Sequence, residues 1–298
     1  MPDRSCIMFS MNRLSTEKRA QIVGMLVEGN SLRATSRMAG VSINTVSKLL
    51  VDLGAACETY QADVLRGLRC TTIECDEIWA FCYSKQKNVP EEHQGTFGYG
   101  DVWTWTALCA DTKLVPSWLV GERTVDDAWS FLTDLQERLA NRVQLTSDGL
   151  KLYVQAVDLA FGAEIDFAQL HKIYGTDPGK DAARRYSPAV CTGTDVRIVN
   201  GDPDPSRIST SYVERQNLTM RMGMRRFTRL TNGFSKKIEN HAAAVAIHFM
   251  HYNFARPHKS LSVRSEDGPA TKRTPAMAAG VADHIWTLEE IAGLLDSN

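Results

Sequence analysis

Apolar residues recur at helical spacing through the first part of the chain and then switch to alternation. Between residues 16 and 29, Ile22, Val23, Leu26 and Val27 share one face, and Gly29-Asn30 reads as a stop. A second helix starts after Ser31, a good N-cap, and runs to about Met38. Gly40 suits a tight turn of positive φ, and Ser42 caps a third helix from Ile43 to about Leu53. Small Ala34, the turn at Gly40, and Val41, Val46 and Leu50 as inward anchors give residues 11–56 a helix-turn-helix pattern, with an ordinary three-helix packing unit as the alternative. Residues 57–70 read as a linker, partly helical.

From residue 71 the period is that of strands. Thr71–Phe81 reads as a strand interrupted by acids, Trp103–Cys109 as a second, and Leu114–Val120 as a third after a turn at 110–113. Thr124 caps an amphipathic helix to about Leu139, with Asp126 and Asp127 in its first turn. A short strand at Val143–Thr146 ends in Ser147-Asp148-Gly149; a helix from Leu150 to Phe161 and a fifth strand near Ile165–Gln169 follow. Residues 174–208, rich in Pro, Gly, Asp and Arg, read as a long loop with room for one strand at 195–200. Helix resumes near Thr210, runs through Glu214 to about Met222, and recurs from Phe234 to about Phe254. Residues 71–262 therefore read as one mixed α/β domain, and 263–298 as a tail with a short helix at Leu288–Leu295.

Composition narrows the class. With 298 residues, 43% hydrophobic and 23% charged, the chain has the make-up of an ordinary globular protein with a sizeable core. No apolar run is long enough to span a bilayer, and the first residues lack the apolar stretch of a signal peptide, so the expected location is the cytoplasm with no membrane partner. Residues 1–10 read as a disordered tail or an artefact of start-site choice, because patterned sequence begins at Met11. Seven cysteines, an odd number without a CxxC pair, read as reduced thiols; Cys70, Cys75 and Cys82 are spaced poorly for zinc. Net charge is −1, yet eight basic residues face one acid between Arg207 and Lys237. A local excess of that size can hold phosphates in a neutral chain.

Three acids carry the candidate chemistry. Asp76 sits mid-strand in apolar surroundings, Asp148 at a strand end before a glycine, and Glu214 on a helix in Tyr212–Asn217. Taken singly, each has a bland reading as a turn, cap or surface residue. Together, on three elements whose order can bring them to one edge of a sheet, they would repel one another unless cations filled the space. Two Mg²⁺ or Mn²⁺ ions answer that need and are suited to phosphodiester chemistry. Strand alternation puts Glu74 on the face of Asp76 and Glu77 on the other.

Three segments carry a family resemblance: Cys75–Trp79, Gly100–Thr106, and Ile208–Lys237, the last reading ISTSYVERQNLTMRMGMRRFTRLTNGFSKK. A fourth, His251–His258, resembles the helix end that follows the catalytic Glu in many integrase-like transposases. From Met11 onward the chain resembles bacterial insertion-sequence transposases with a DDE triad, of the insertion sequence 1 type. The resemblance implies a ribonuclease H-like fold, a mixed five-stranded sheet with flanking helices, matched by the order three strands, helix, strand, helix, strand. It implies Asp76, Asp148 and Glu214 as catalytic and metal-binding residues. It also implies Mg²⁺-dependent cut-and-join chemistry at terminal inverted repeats. Leu150 stands where relatives often carry His, Ser265–Arg273 looks like a small insertion before Thr274-Pro275, and the zinc-binding N-terminal module of some relatives has no counterpart.

The expected partners are double-stranded DNA, both element ends and target, and a second copy of the chain on that DNA. Asn44, Thr45 and Lys48 on the third helix are placed to meet bases or phosphates in the major groove. Arg215 follows Glu214, and Arg221, Arg225 and Arg229 recur at i, i+4 and i+8, with Arg226 beside them, on the same or an adjoining helix; if that helix is continuous they form a stripe for the DNA backbone, and the alternative is that they scatter into a loop. Gly223 is the point where that helix can break. Asn217, three residues after Glu214, can face the same site, whereas Trp79, Trp103 and Trp105 read as core. Two other classes remain: a structure-selective nuclease of the same fold, and a helix-turn-helix regulator derived from a transposase.

Overall fold

The computed structural model describes residues 14–175, 191–228, 232–264 and 269–296. The expected tail at 1–10, Arg229, and the first part of the insertion-like stretch lie outside them. Helices α1 (Thr16–Val27), α2 (Leu32–Ala39) and α3 (Ile43–Val64) open the chain. Ser15, Ser31 and Ser42 each accept a backbone N–H at their helix starts, and Gly40 ends α2 in the left-handed conformation with φ +66°. The three-helix pattern and its turn lie where the spacing puts them. The linker does not: α3 continues to Val64 because its apolar face continues through Leu53, Ala56 and Cys57.

Strands β1 (Thr72–Cys82), β2 (Gly100–Cys109) and β3 (Ser117–Gly121) form an antiparallel meander. Helix α4 (Val125–Arg138) leads to β4 (Gln144–Asp148), and α5 (Leu152–Phe161) to β5 (Asp166–Tyr174). β4 pairs parallel with both β1 and β5. A sixth strand, β6 (Cys191–Asn200), pairs antiparallel with β5 and gives the sheet order β3-β2-β1-β4-β5-β6. The sheet is thus six-stranded, and the one strand expected at 195–200 within the long loop begins earlier, at Cys191. β6 is an exposed edge strand, so burial gave its sequence no strong alternating signature. β3 begins at Ser117 rather than Leu114, since Pro116 has no N–H to pair and Val115 donates instead to the Asn253 side chain, 3.0 Å away.

Helix α6 (Ser211–Gly223) is followed by a 3-10 turn at Arg225–Phe227, then α7 (Ile238–Met250), which runs on as a π turn through Ala255. Short helices α8 (Pro275–Ala278) and α9 (Leu288–Gly293) complete the fold. The two faces of β1 are covered differently. Ile73 and Cys75 join a core with Phe131 and Leu135 of α4 and Tyr153 of α5, whereas Ile78 and Ala80 pack with Val213 and Met220 of α6 and Val245 and Phe249 of α7. α7 also carries α3 on its far side. Gly54 there lies so close that a Cβ would sit 2.4 Å from the Ala243 Cβ. Of the tryptophans, Trp105 is fully buried, as expected, while Trp103 lies half-exposed under the Arg123 guanidinium. No described helix is long and apolar enough to cross a membrane.

Candidate metal centre

β1 and β4 run parallel from Thr72↔Gln144 to Cys75↔Ser147, so one further step brings Asp76 level with Asp148. β4 stops at that residue. The next side chain on β1, Glu77, belongs to the opposite face, yet the end of β4 leaves its flank open and its carboxylate reaches the same place. One oxygen from each of Asp76, Glu77 and Asp148 lies within 4.8 Å of the others, the only such group of potential metal ligands among the described residues. Every donor is a carboxylate oxygen, a set that suits a hard divalent ion better than a soft one.

Each acid is held by neighbours. Asp148 accepts the Leu150 N–H at 2.9 Å, and Gln169 donates to the carbonyls of Asp148 (3.0 Å) and Leu150 (2.9 Å), fixing the turn after β4. Asp76 accepts from the Asn217 amide at 2.8 Å. Glu77 is paired with Arg123, whose Nε lies 3.0 Å away, and lies 3.5 Å from the Tyr153 hydroxyl. Burial, then the charges of Glu77 and Asp148, push the Asp76 carboxyl up to about 7; the Glu77 backbone N–H and Asn217 oppose the rise. Burial and Asp148 also raise Glu77, against the pull of Arg123. Three carboxylates sharing one half-buried corner repel one another, and either a retained proton or a bound cation would relieve that repulsion.

Glu214 is not in that group. Lys172 on β5 donates to both of its carboxylate oxygens, and Thr210 donates to it at 2.6 Å. Lys172 lies two residues beyond Leu170, the β5 partner of Asp148. α6 therefore touches β1 through Asn217 and β5 through Glu214, bridging over the strand that carries Asp148. Of the expected three acids, Asp76 and Asp148 share a close cluster, whose third member is Glu77, while Glu214 is held by Lys172 of β5. Strict alternation hid Glu77; consecutive acids inside an otherwise apolar strand were the signal that could have found it.

Glu74 is a second residue whose part the sequence did not show. Thr210, the N-cap of α6, turns its hydroxyl to Glu214 and makes no cap bond. Instead the buried Glu74 carboxylate accepts the N–H groups of Tyr212 (2.7 Å) and Val213 (2.9 Å). A strand that carries Asp76 and Glu77 thus caps the helix that carries Glu214 and Asn217.

The expected nucleic-acid contacts are distributed unevenly. Asn44 and Lys48 are exposed on α3, with Lys48 paired to Asp52 at 2.6 Å, and Thr45 is half-buried with its hydroxyl 2.8 Å from that of Ser42. Arg215 and Arg221 lie on α6, the latter half-buried. The continuous arginine stripe does not form: α6 ends at Gly223, Met224 is extended, and Arg225 and Arg226 sit in the 3-10 turn. Arg226 is committed to the fold, donating to the Ser235 hydroxyl (2.8 Å) and the Asn240 carbonyl (2.6 Å), with burial lowering its guanidinium to about 10. Cys70, Cys75 and Cys82 are buried free thiols and make no zinc cluster among the described residues. No protein-family model matches the chain, and no curated protein does.

Proposed function

We propose that this protein is a DNA transposase of the DDE class, with the corner at Asp76, Glu77 and Asp148 as its divalent-metal site and Glu214 as the further acid beside it. The observation that carries the reading is the convergence of those carboxylates at the end of β1 and β4. The first five strands have the order of a ribonuclease H-like sheet, which supports it. Two Mg²⁺ or Mn²⁺ ions bound there would activate the attacking oxygen and stabilise the leaving oxygen of a phosphodiester.

The chain's own residues have definite parts in this scheme. Asp76, level with Asp148 and half-buried between the strands, would be a main ligand of the metal. Asn217 orients the Asp76 carboxylate through its amide. Arg123 holds Glu77 and keeps part of its charge balanced. Lys172 neutralises Glu214 and keeps it facing β5. Gln169 fixes the Asp148 turn, so that its carboxylate is aimed before any ligand arrives. No protein hydroxyl is needed as nucleophile: water attacks phosphorus at the first cut and displaces the 3′-oxygen of the element's end, and that freed 3′-hydroxyl then attacks a target phosphodiester and displaces the target strand's own 3′-oxygen. Asn44, Thr45 and Lys48 at the start of α3 would read the element's ends, and synapsis of two ends calls for at least a dimer on DNA.

Joining of labelled end oligonucleotides to a plasmid tests the proposal, using the repeats that flank the gene, with Mg²⁺ present. The expected result is joined product that disappears in Asp76→Ala while end binding persists. Nicking without joining would replace the reading with a nuclease of the same fold. End binding with neither reaction would replace it with a DNA-binding regulator.

A further inference from the structure

The break after α6 turns the arginines toward the N-terminal helices. α1 and α6 end against each other: a Cβ on Gly29, whose φ is +79°, would lie 2.9 Å from the Gly223 carbonyl oxygen. Above this contact opens a cleft of about 920 Å³. One wall is the α1–α2 corner with Ser31 and Arg33; the other is the 3-10 turn and the approach to α7, with Arg225, Arg226 and Lys236. Four cationic side chains line it, and no Asp or Glu does among the described residues. Arg33, Arg225 and Lys236 are all exposed, whereas Arg226 is held in the fold by Ser235 and Asn240.

We infer that this cleft is a binding site for the phosphodiester backbone of DNA, gripped by Arg33, Arg225 and Lys236. The inference rests on the DNA-transposase reading and deepens it by moving the sequence-independent grip from a helix face to a cleft. Arg33 comes from the α1–α2–α3 unit and Arg225 and Lys236 from the segments before α7, places that only the folded chain assembles. The cations reach an anion from two walls, which a helix stripe does not do. The lining of the cleft is largely apolar, with Leu26, Leu32, Met224 and Phe234, and its charged side chains are all cations. Planar guanidinium groups suit phosphate oxygens, and cations grouped without a balancing acid repel one another at a cost that a polyanion relieves. Along α6, its last residue Gly223 lies six residues from Asn217, about 9 Å at the helical rise, so the cleft is roughly two helical turns from the residue that holds Asp76. The contacts are to backbone, so they add affinity without base preference. Arg226 is the structural member of the wall.

The test is binding of a labelled random-sequence duplex by anisotropy over a range of salt, with the full-length protein. Arg33→Gln, Arg225→Gln and Lys236→Gln, singly and together, are compared with the wild type and with Lys18→Gln/Arg66→Gln, which removes charge elsewhere. Each lost contact should flatten the slope of log K against log salt by roughly 0.9, and the triple variant by roughly 2.7. End and random DNA should weaken by the same factor. Arg33, Arg66, Arg225 and Lys236 are exposed and Lys18 is half-buried, and circular dichroism checks that the variants fold. Unchanged slopes in the triple variant, or equal flattening per charge in the control pair, overturn the cleft as the site. A wild type without affinity for any DNA overturns the transposase reading itself, and the two failures are thereby distinguishable.

Discussion

Replacing Asp76 by Asn should stabilise the metal-free protein and destroy its response to metal. The Asp76 carboxyl stands at about 7 in the folded protein against an ordinary value of 3.8. The folded state therefore keeps a proton that the unfolded chain gives up. Stability from this group is fully present below about pH 4 and is lost as pH rises through about 7. A shift of about three units corresponds to roughly 4 kcal/mol at the upper end. A neutral amide in place of the carboxyl would avoid that loss, and its carbonyl could still accept from Asn217. We expect Asp76→Asn to be more stable than wild type by about 2–4 kcal/mol at pH 8 in chelator, or roughly 4–8 °C in melting temperature for a chain of this size. At pH 4 the difference should nearly vanish. Saturating Mn²⁺ should raise the wild-type melting temperature at pH 8, by about 2.7 kcal/mol of stability at a hundredfold excess over Kd, and leave the variant unmoved. Thermal melts at both pH values, with chelator and with Mn²⁺, read all of this. A variant less stable than wild type at pH 8 in chelator would refute the idea of a repulsive anionic corner. A wild type indifferent to Mn²⁺ and Mg²⁺ would refute its use as a metal site.

Two further substitutions probe the frame around the site. Glu74→Ala leaves two backbone N–H groups at the start of α6 without an acceptor and should cost about 2–4 kcal/mol, whereas Glu74→Gln keeps an acceptor, removes a buried charge and should stay within about 1 kcal/mol of wild type; equal losses in urea unfolding would contradict the capping role. Gly54→Ala drives a methyl group into Ala243 of α7 and should destabilise by about 1–3 kcal/mol or more, and an unchanged urea midpoint would show that α3 and α7 do not meet as closely as described.

Sequence alone determined the parts of this protein that depend on local chemistry. Serines at 15, 31 and 42 can accept the N–H groups their helices leave free, and Gly40 can adopt positive φ where other residues strain, so the first three helices were legible apart from the far end of α3. Short apolar and β-branched runs bounded by turn residues marked β1, β2 and β4, which are buried on both faces, and the order of strands and helices limited the topology. Acids within apolar strands pointed to the corner at Asp76 and Asp148, because a buried carboxylate needs a partner. The rest was decided by distance in space. Glu77 joined the cluster because β4 ends beside it, a property of register and not of Glu77 itself. Glu74 became the cap of a helix far along the chain, since Thr210 spent its hydroxyl on Glu214. The extra turns of α3 follow from the surface that α7 offers, and β6 exists because β5 had an open edge. The arginines show the limit most plainly. Their spacing fits a stripe on one helix, but Gly223 ends α6 and the chain turns, so their neighbours became Arg33 and Lys236, residues that no local period connects.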